Sequence, residues 1–298
     1  MGRFASPSTQ AGSVMKSLQG SVLRSVGTVR NYEQALTRAA EWAQKERIKG
    51  GLRGLTPAQA AEFLHKRMDA NIGQKTLDME RQAIQCMMQN VTGQLQQNEK
   101  LEIVKSIEPQ HLTSRTYTQE QIKAVADAQN AANSLATEIA AAAGLRAHEL
   151  LTLERIEDRA PSDRPAHPDK FSTRENDHKK VSYTVHGKGG LVREVQLPKT
   201  LSNRLEERRL DEPKTVVDRG VNHTQHYDIS GGKKWSNSFS EASKRVLGWS
   251  NGAHGLRHAY AQSRVKEMQH SHPRETALEI VSQEMGHFRP EITEVYLR

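Results

Sequence analysis

Helical periodicity dominates the first third of the chain. One amphipathic helix is predicted by apolar residues that recur at spacings of three and four: Val29, Tyr32, Leu36, Ala39 and Ala43. A second is predicted to begin after Thr56, because an N-cap threonine, a proline at the first helical position and a capping-box glutamine, Gln59, occur together. Thr76 is predicted to cap a third helix. Residues 28–108 are therefore interpreted as one helical domain.

Two stretches on either side of this domain lack such periodicity. Residues 1–27 are rich in Ser, Gly and Gln and contain three basic residues and no acidic one, which predicts a flexible N-terminal segment. The polar stretch leading to Arg115 includes Pro109 and has no apolar stripe, so residues 109–117 are interpreted as a linker. The sequence thus predicts a second domain over residues 118–298.

The pattern of the second domain mixes helix with a little strand. Thr118 and Gln121 predict another capping box at the start of its first helix. Residues 181–185 and 191–197 are rich in strand-forming side chains and flank a glycine-containing turn, which predicts a β-hairpin. We expect a mainly α protein with a small β-hairpin sheet, so that the second domain is of the α+β class.

Two polar stretches of the second domain are predicted to be loops. Residues 155–180 contain Pro, Asp, Arg and His, and residues 211–234 contain Gly and His, with a short helix predicted between the hairpin and the second loop, over residues 201–210. For residues 155–180 two interpretations remain open, a surface loop or an insertion that serves the function of the domain.

Charge and cysteine content narrow the function classes. Forty-three Lys and Arg residues against 35 Asp and Glu give a net charge of +8, which favours a polyanionic partner. The single cysteine, Cys86, excludes an intramolecular disulfide, so a reducing cytoplasm is the expected compartment. No apolar run reaches membrane-spanning length, and the N-terminus lacks the apolar core of a secretion signal.

Two basic residues in the first half of the second domain, Arg146 and Lys188, are candidates for a functional site. Arg146 follows the apolar run 139–145, and an unpaired buried arginine is costly, so Glu149 three residues later is a candidate partner. Lys188 lies in the glycine-rich turn of the predicted hairpin. A lysine in such a turn is commonly no more than a solvated hairpin tip.

Histidines and one tyrosine cluster near the C-terminus of the chain. The candidates are His254, Arg257, His258, His287 and Tyr296. His254 and His258, one helical turn apart, have the spacing of zinc ligands, but the residue after His254 is Gly255 rather than the glutamate of a zinc protease. Arg257 between them would also repel a cation. Taken alone, Tyr296 would be an ordinary tyrosine on a helix surface.

The order of these residues resembles that of the tyrosine recombinase (phage integrase) family. The shared order is Arg, Lys, His-x-x-Arg-His, His and Tyr, and the resemblance covers about residues 115–298. The helical region 28–108 is similar, by pattern alone, to the core-binding (SAM-like) domain of such enzymes. The fold that the resemblance implies is a two-domain, C-shaped clamp around duplex DNA.

The resemblance also implies a role for each candidate. Two guanidinium groups, Arg146 and Arg257, would clamp the phosphate through paired donors that lysine cannot reproduce, with His287 as a third donor. Tyr296 would be the nucleophile and form a 3′-phosphotyrosine. Since a phenol has a pKa of about 10, it needs a base, for which His254 is the candidate.

The remaining positions are implied to assist. Lys188 would protonate the leaving 5′ oxygen, while Glu149 and His258 would support the site. No metal and no ATP are implied, because the phosphotyrosine retains the bond energy. The implied partners are double-stranded DNA with specific recombination sites and other protomers in a DNA-bound synaptic complex, without a membrane, in the cytoplasm at a prokaryotic nucleoid.

Two other functions share part of this pattern. A type IB topoisomerase-like relaxase would use the same site residues, but the small helical N-terminal domain favours a recombinase. A non-catalytic DNA-binding relative is disfavoured by the presence of Tyr296, Lys188 and both arginines. Only Leu297 and Arg298 follow Tyr296, whereas in many relatives a longer tail docks on the neighbouring protomer. We therefore expect a monomer off DNA, with protomer contacts through other surfaces, or a shortened chain.

Overall fold

The computed structural model describes residues 5–23, 25–109, 113–172 and 180–297, together with the backbone but not the side chain of Lys188. The chain divides into two compact units, Met1–His111 and Leu112–Arg298. Across the described residues, no helix has both the length and the apolar character needed to cross a membrane.

The described residues of the first unit contain four α-helices. They are α1 (Pro7–Leu18), α2 (Val26–Lys45), α3 (Pro57–Asp69) and α4 (Gln74–Met87). The capping box of Thr56 and Gln59 is present at α3, as predicted. The prediction that Thr76 caps the next helix is wrong: α4 begins at Gln74, whose side chain accepts from the Ser106 N–H at 2.9 Å and donates to the Val104 carbonyl at 3.1 Å.

Helix α1 corrects the prediction that residues 1–27 are flexible. Ser6 caps it by accepting from the Thr9 N–H at 3.2 Å, and Pro7 occupies the first helical position. Its buried residues are Ala11, Val14, Met15 and Leu18. This is the i, i+3, i+4, i+7 pattern of an amphipathic helix, which the surrounding Ser, Gly and Gln residues obscured. The stripe belongs to the same hydrophobic core as α2, so this segment is part of the unit.

The second unit surrounds a small sheet with helices. The helices are α5 (Gln119–Asp127), α6 (Ala131–Ala143), α7 (Lys199–Glu206), α8 (Gly232–Leu247), α9 (Gly255–Met268), α10 (Arg274–Glu284) and α11 (Pro290–Glu294). The strands are β1 (Glu154–Arg155), β2 (Lys180–His186), β3 (Val192–Pro198), β4 (Arg209–Asp218) and β5 (Val221–Tyr227). The mainly α fold with a small antiparallel sheet is confirmed.

The predicted hairpin forms the larger sheet. Strands β2 and β3 pair antiparallel with Val185 opposite Arg193, and β1 adds to the outer edge of β2. The capping box of Thr118 and Gln121 opens α5, as predicted. The sheet and helices α5, α6 and α8 share the main hydrophobic core of this unit, while α9 and α10 form a second core that includes Tyr296.

The prediction of a loop over residues 211–234 is wrong. Strands β4 and β5 form a second hairpin, joined by Arg219 and Gly220 with φ angles of 52° and 78°. Two consecutive residues with positive φ make the two-residue turn that matches strand twist. A short Val- and Thr-rich run on each side supplies the pairing.

The described part of the predicted loop 155–180 is tied to the helices behind it. The Phe171 N–H donates to Glu284 Oε1 at 2.9 Å, the His167 N–H to Gln283 Oε1 at 2.7 Å, and Arg264 Nη2 donates to the Ser172 carbonyl at 2.7 Å. These bonds fix residues 167–172 against α9 and α10. Residues 173–179 lie outside the described residues.

Candidate active site

Arg146 is positioned by the end of α6. The helix stops at Gly144, whose φ of +57° lies in the left-handed region, and a Cβ there would meet the Tyr260 ring at 2.6 Å. The chain then turns so that the Arg146 N–H donates to Glu149 Oε2 at 2.8 Å and Arg146 Nη1 donates to Glu149 Oε1 at 2.7 Å. This is the pairing that the three-residue spacing predicted.

Glu149 is fully buried and faces three guanidinium groups. Besides Arg146 it receives Arg193 Nη2 at 2.8 Å, and Arg257 Nη1 lies 3.9 Å away. Burial by itself would raise the pKa of Glu149, but the positive charges of Arg193, Arg257 and Arg146 outweigh it and hold the pKa well below its ordinary value. Glu149 is therefore an anion that aligns the arginines around it.

Arg257 is fully buried in the first turn of α9. Its Nη1 donates to the Gly144 carbonyl, and its Nη2 donates to the Met285 carbonyl at 3.2 Å and contacts His287 Nε2 at 3.1 Å. Burial and the nearby charge of Arg146 lower the pKa of Arg257 to about 10, so it stays charged at neutral pH. Its guanidinium carbon lies 5.6 Å from the centre of the Tyr296 ring.

Tyr296 is 8% exposed and is surrounded by a guanidinium group and three imidazoles. Its ring centre is 5.4 Å from that of His254, 4.8 Å from that of His258 and 5.2 Å from that of His287. His258 Nδ1 contacts the Tyr296 carbonyl at 3.1 Å, and Gln262 Nε2 donates to the same carbonyl at 3.2 Å. The backbone of the tyrosine is therefore held by α9.

A short helix precedes the tyrosine. Pro290 occupies the first position of α11 and Glu291 lies in its first turn. Ile292 packs against the core that includes Tyr296, whereas Val295 is exposed, because the last residues form a 3-10 turn that directs Tyr296 rather than Val295 to the core.

His287 is neutral in this environment. Burial, followed by the charges of Arg257 and Arg146, lowers the pKa of His287 to about 3. Since arginine can only donate, His287 Nε2 accepts from Arg257 and the proton resides on Nδ1. That Nδ1 atom is buried and has no hydrogen-bond partner among the described residues. It is a donor that an anionic ligand at this site would satisfy.

His254 is neutral for similar reasons and stands at the N-cap position of α9. Desolvation by the neighbouring side chains, followed by electrostatic repulsion from Arg257 and His258, lowers the pKa of His254 to about 4. The residue as a whole is exposed to solvent, but its ring lies 5.6 Å from that of His258 and 5.4 Å from that of Tyr296, so the imidazole is partly desolvated. A neutral imidazole beside a phenol can accept its proton.

The turn that carries Lys188 approaches the same carboxylate. Its backbone forms a short 3-10 turn over Lys188–Gly190, closed by the Gly187 N–H donating to the Leu191 carbonyl at 2.6 Å. A Cβ at Gly187 would lie 3.7 Å from Glu149 Oε1. The predicted role of Lys188 concerns a side chain that lies outside what the structure describes.

Comparison with solved structures gives the fold. The XerH site-specific recombinase bound to difH substrate in a pre-cleavage complex is 21% identical with a TM-score of 0.58, over 98% of this chain and 81% of that chain. A lambda integrase tetramer bound to a Holliday junction is 15% identical with a TM-score of 0.59, and the match covers 97% of this chain and 76% of that chain. The chain has the tyrosine recombinase fold. A third structure with this fold, the Tn1549 transposon integrase with a circular intermediate DNA, is 10% identical with a TM-score of 0.54, over 99% and 96%.

Comparisons of sequence add nothing to that result. No protein-family model matches the chain. No curated protein matches it either. The tyrosine recombinase fold is therefore established by structure, while the roles of individual residues depend on the geometry above.

Within this tyrosine recombinase fold, the sequence analysis missed two residues that touch the site. Arg193 bonds Glu149, and Gln262 bonds the tyrosine carbonyl. Arg193 had a signal, because it alternates with Val195 and Leu197 on the inward face of β3, where an arginine is unexpected. Gln262 had a weaker one, since it lies one helical turn after His258 on α9.

Proposed function

We propose that the chain is a site-specific DNA recombinase that cleaves and rejoins duplex DNA through a 3′-phosphotyrosine at Tyr296. The observation that carries the proposal is that Arg257 and three histidines surround Tyr296. Next to them, the buried Glu149 carboxylate holds the arginines in position. Solved structures with this fold include recombinases and integrases bound to a difH substrate, a circular intermediate DNA and a Holliday junction.

The proposed reaction is a reversible phosphoryl transfer. The phenolic oxygen of Tyr296 attacks the phosphorus, a phosphotyrosine bond forms, and the bond to the 5′ oxygen breaks. Arg146 and Arg257 neutralise the charge that develops on the non-bridging oxygens, where preorganised donors have their largest effect. A 5′ hydroxyl then attacks the phosphotyrosine to reseal a strand. Bond energy is conserved, so the proposal needs neither ATP nor a metal.

Proton transfer in this scheme uses two side chains, and a third donates a hydrogen bond. His254 takes the phenolic proton, which its neutral state permits. His287 donates from Nδ1 to a phosphate oxygen. Lys188 gives a proton to the leaving 5′ oxygen, a role proposed from its position in the glycine turn. His258 supports the tyrosine backbone, and Glu149 supports the arginines.

The proposal extends to partners and organisation. Both units would contact DNA, with the first unit as the core-binding domain and Leu112–Arg298 as the catalytic domain. Other protomers would join in a DNA-bound synaptic complex, in the cytoplasm at the nucleoid.

The first test identifies the DNA. Footprinting of the protein on DNA that flanks its gene should protect a discrete site, and a strand-exchange assay on two copies of that site should yield recombinant products. Relaxation of a supercoiled plasmid without the site, and no exchange between sites, would instead indicate a type IB topoisomerase-like relaxase. Binding without any covalent adduct would indicate a non-catalytic relative.

Tyr296→Phe tests the nucleophile. The variant should bind the protected site with wild-type affinity and form no covalent complex, because only the attacking oxygen is removed. A nicked, end-labelled duplex that traps the adduct, run on a denaturing gel, measures this. An adduct of wild-type mobility in Tyr296→Phe would refute the assignment.

A further inference from the structure

A second buried arginine of the site, Arg193, has no place in the reaction as proposed. It lies on β3 opposite Val185 and is 4% exposed. Moving a guanidinium into the interior is costly unless its donors are matched by acceptors in good geometry. The contacts of Arg193 therefore indicate what the residue does.

Those contacts join two separate parts of the site. Arg193 Nη2 donates to Glu149 Oε2 at 2.8 Å and lies 3.5 Å from the Gly144 carbonyl, and Nη1 donates to the Glu284 carbonyl at 2.7 Å. Arg257 makes a parallel set, to the Gly144 carbonyl and the Met285 carbonyl. Two guanidinium groups thus bridge the same two stretches of backbone, but only Arg257 lies over the Tyr296 ring.

The turn before His287 is shaped around Arg193. Gly286 has a φ of +71°, and a Cβ at this position would lie 2.8 Å from Arg193 Cδ. A side chain at residue 286 would therefore be strained and would also displace the arginine. Because Gly286 has no side chain, Arg193 can reach the Glu284 carbonyl while His287 turns toward Arg257.

We propose that Arg193 is a positioning residue for the proposed cleavage reaction, on which this inference rests. It fixes Glu149, and through it Arg146, relative to the Met285–His287 turn, and it does so without touching DNA. A planar fork with donors on two nitrogens matches the Glu149 carboxylate and the Glu284 carbonyl at once, whereas the compact ammonium of lysine does not reproduce that fork. Charge alone would therefore not replace Arg193.

The test separates binding from chemistry. Arg193→Lys should lower the single-turnover rate of adduct formation at saturating DNA by about 10²-fold, the scale of a small misplacement of catalytic groups, and leave the Kd for the site unchanged. Arg159→Lys is the matched control. Arg159, which follows β1 in the chain, is a partly buried arginine that donates to the Thr184 side chain on β2 at 2.8 Å and to the Thr152 carbonyl at 2.5 Å. It should lose thermal stability but retain the cleavage rate.

A double-mutant cycle asks whether Arg193 acts through Arg146. In an Arg146→Lys background, adding Arg193→Lys should cost little more, because the geometry it maintains is already lost. Independent, additive losses would overturn the proposal. Gly286→Ala provides a second variant that displaces Arg193 without removing it, and it should reproduce the cleavage defect if Arg193→Lys does not fold.

A measurement on the free protein keeps the two proposals distinguishable. The pKa of His287, about 3 in the wild type, should rise toward its ordinary value in Arg193→Lys, because the turn loses its fixed place beside Arg257. NMR titration of the His287 ring measures it, with Arg159→Lys as the unchanged control. If the wild type forms no adduct on its DNA, the proposed function fails, and this titration still decides the role of Arg193. An unchanged His287 titration would overturn that role.

Discussion

Glu149 shows how one buried carboxylate can organise a cationic site. Three guanidinium groups approach it, those of Arg193 and Arg257 buried and that of Arg146 partly exposed, and without the carboxylate they would repel one another. Removing one partner of such a buried cluster commonly costs about 3–5 kcal/mol, because the remaining charges lose their compensation. The chain itself therefore holds these arginines in place, and a phosphate bound as proposed would meet donors already in position.

Arg257→Lys tests that preorganisation at the nucleophile. Lysine keeps the charge but cannot bond the Gly144 and Met285 carbonyls while presenting two donors to phosphate, so cleavage should fall by about 10²–10³-fold with DNA binding retained. Arg204→Lys is the control, because Arg204 makes a two-pronged bond to Glu138 at 2.6 and 2.8 Å on the exposed surface of the same unit. Equal cleavage rates for Arg257→Lys and the wild type would refute the proposed role of Arg257 in holding the phosphate.

The depressed pKa of His287 predicts a pH dependence of stability. Its pKa is about 3 in the folded chain and about 6.5 when unfolded, so between these values the unfolded chain binds more protons. The free energy of unfolding should therefore fall as the pH is lowered from 6.5 toward 3. His287→Asn should flatten this slope. Urea unfolding at several pH values measures the slope, and identical slopes for His287→Asn and the wild type would contradict the prediction.

At the residue scale, sequence reasoning succeeded where partners are close along the chain. Arg146 and Glu149 are three residues apart, so their pairing could be predicted from spacing. Arg193 and Glu149 are 44 residues apart, and Gln262 lies 34 residues before Tyr296. Contacts at such separation depend on how strands and helices pack, and a single sequence carries little information on that.

The same division holds at the scale of elements. Capping boxes at Thr56 and Thr118 are local hydrogen-bond patterns, and both helices begin where predicted. Helix α1 was missed because polar composition was given more weight than a four-residue apolar stripe. The β4–β5 hairpin was missed because its turn, Arg219-Gly220, is less distinctive than Asn-Gly. A local signal existed in each case, but it was weaker than the bias in composition.

Leu18→Ala tests whether α1 belongs to the folded first unit. The side chain is fully buried, so its truncation should lower the free energy of unfolding by about 2–5 kcal/mol. Lys16→Ala, at an exposed position of the same helix, should change it little. Urea denaturation followed by the fluorescence of Trp42, in the same unit, measures both. A negligible effect of Leu18→Ala would mean that this segment is flexible in solution, as the sequence predicted.

At the scale of the whole molecule, positive charge is spread over both units. Residues 1–111 contain 15 basic and 10 acidic residues, and residues 112–298 contain 28 and 25. Neither unit has the one-sided charge of a basic tail. If both contact DNA, the counterions released should come from both units, and the salt dependence of binding reports their number.

Salt dependence supplies the last prediction. Each phosphate contact contributes about −0.9 to the slope of log K against log salt concentration. Replacing the exposed Arg30, Lys45 and Lys49 of the first unit by Gln should make the slope less steep and weaken binding, if this unit lies on the DNA backbone. The pair Lys45→Arg and Lys49→Arg keeps the charge and should retain the wild-type slope. All variants would carry Tyr296→Phe so that covalent chemistry does not distort the equilibrium. A slope unaffected by the Gln substitutions would mean that these cations of the first unit do not contact phosphate, and the DNA contacts of that unit would then have to be sought on another of its faces.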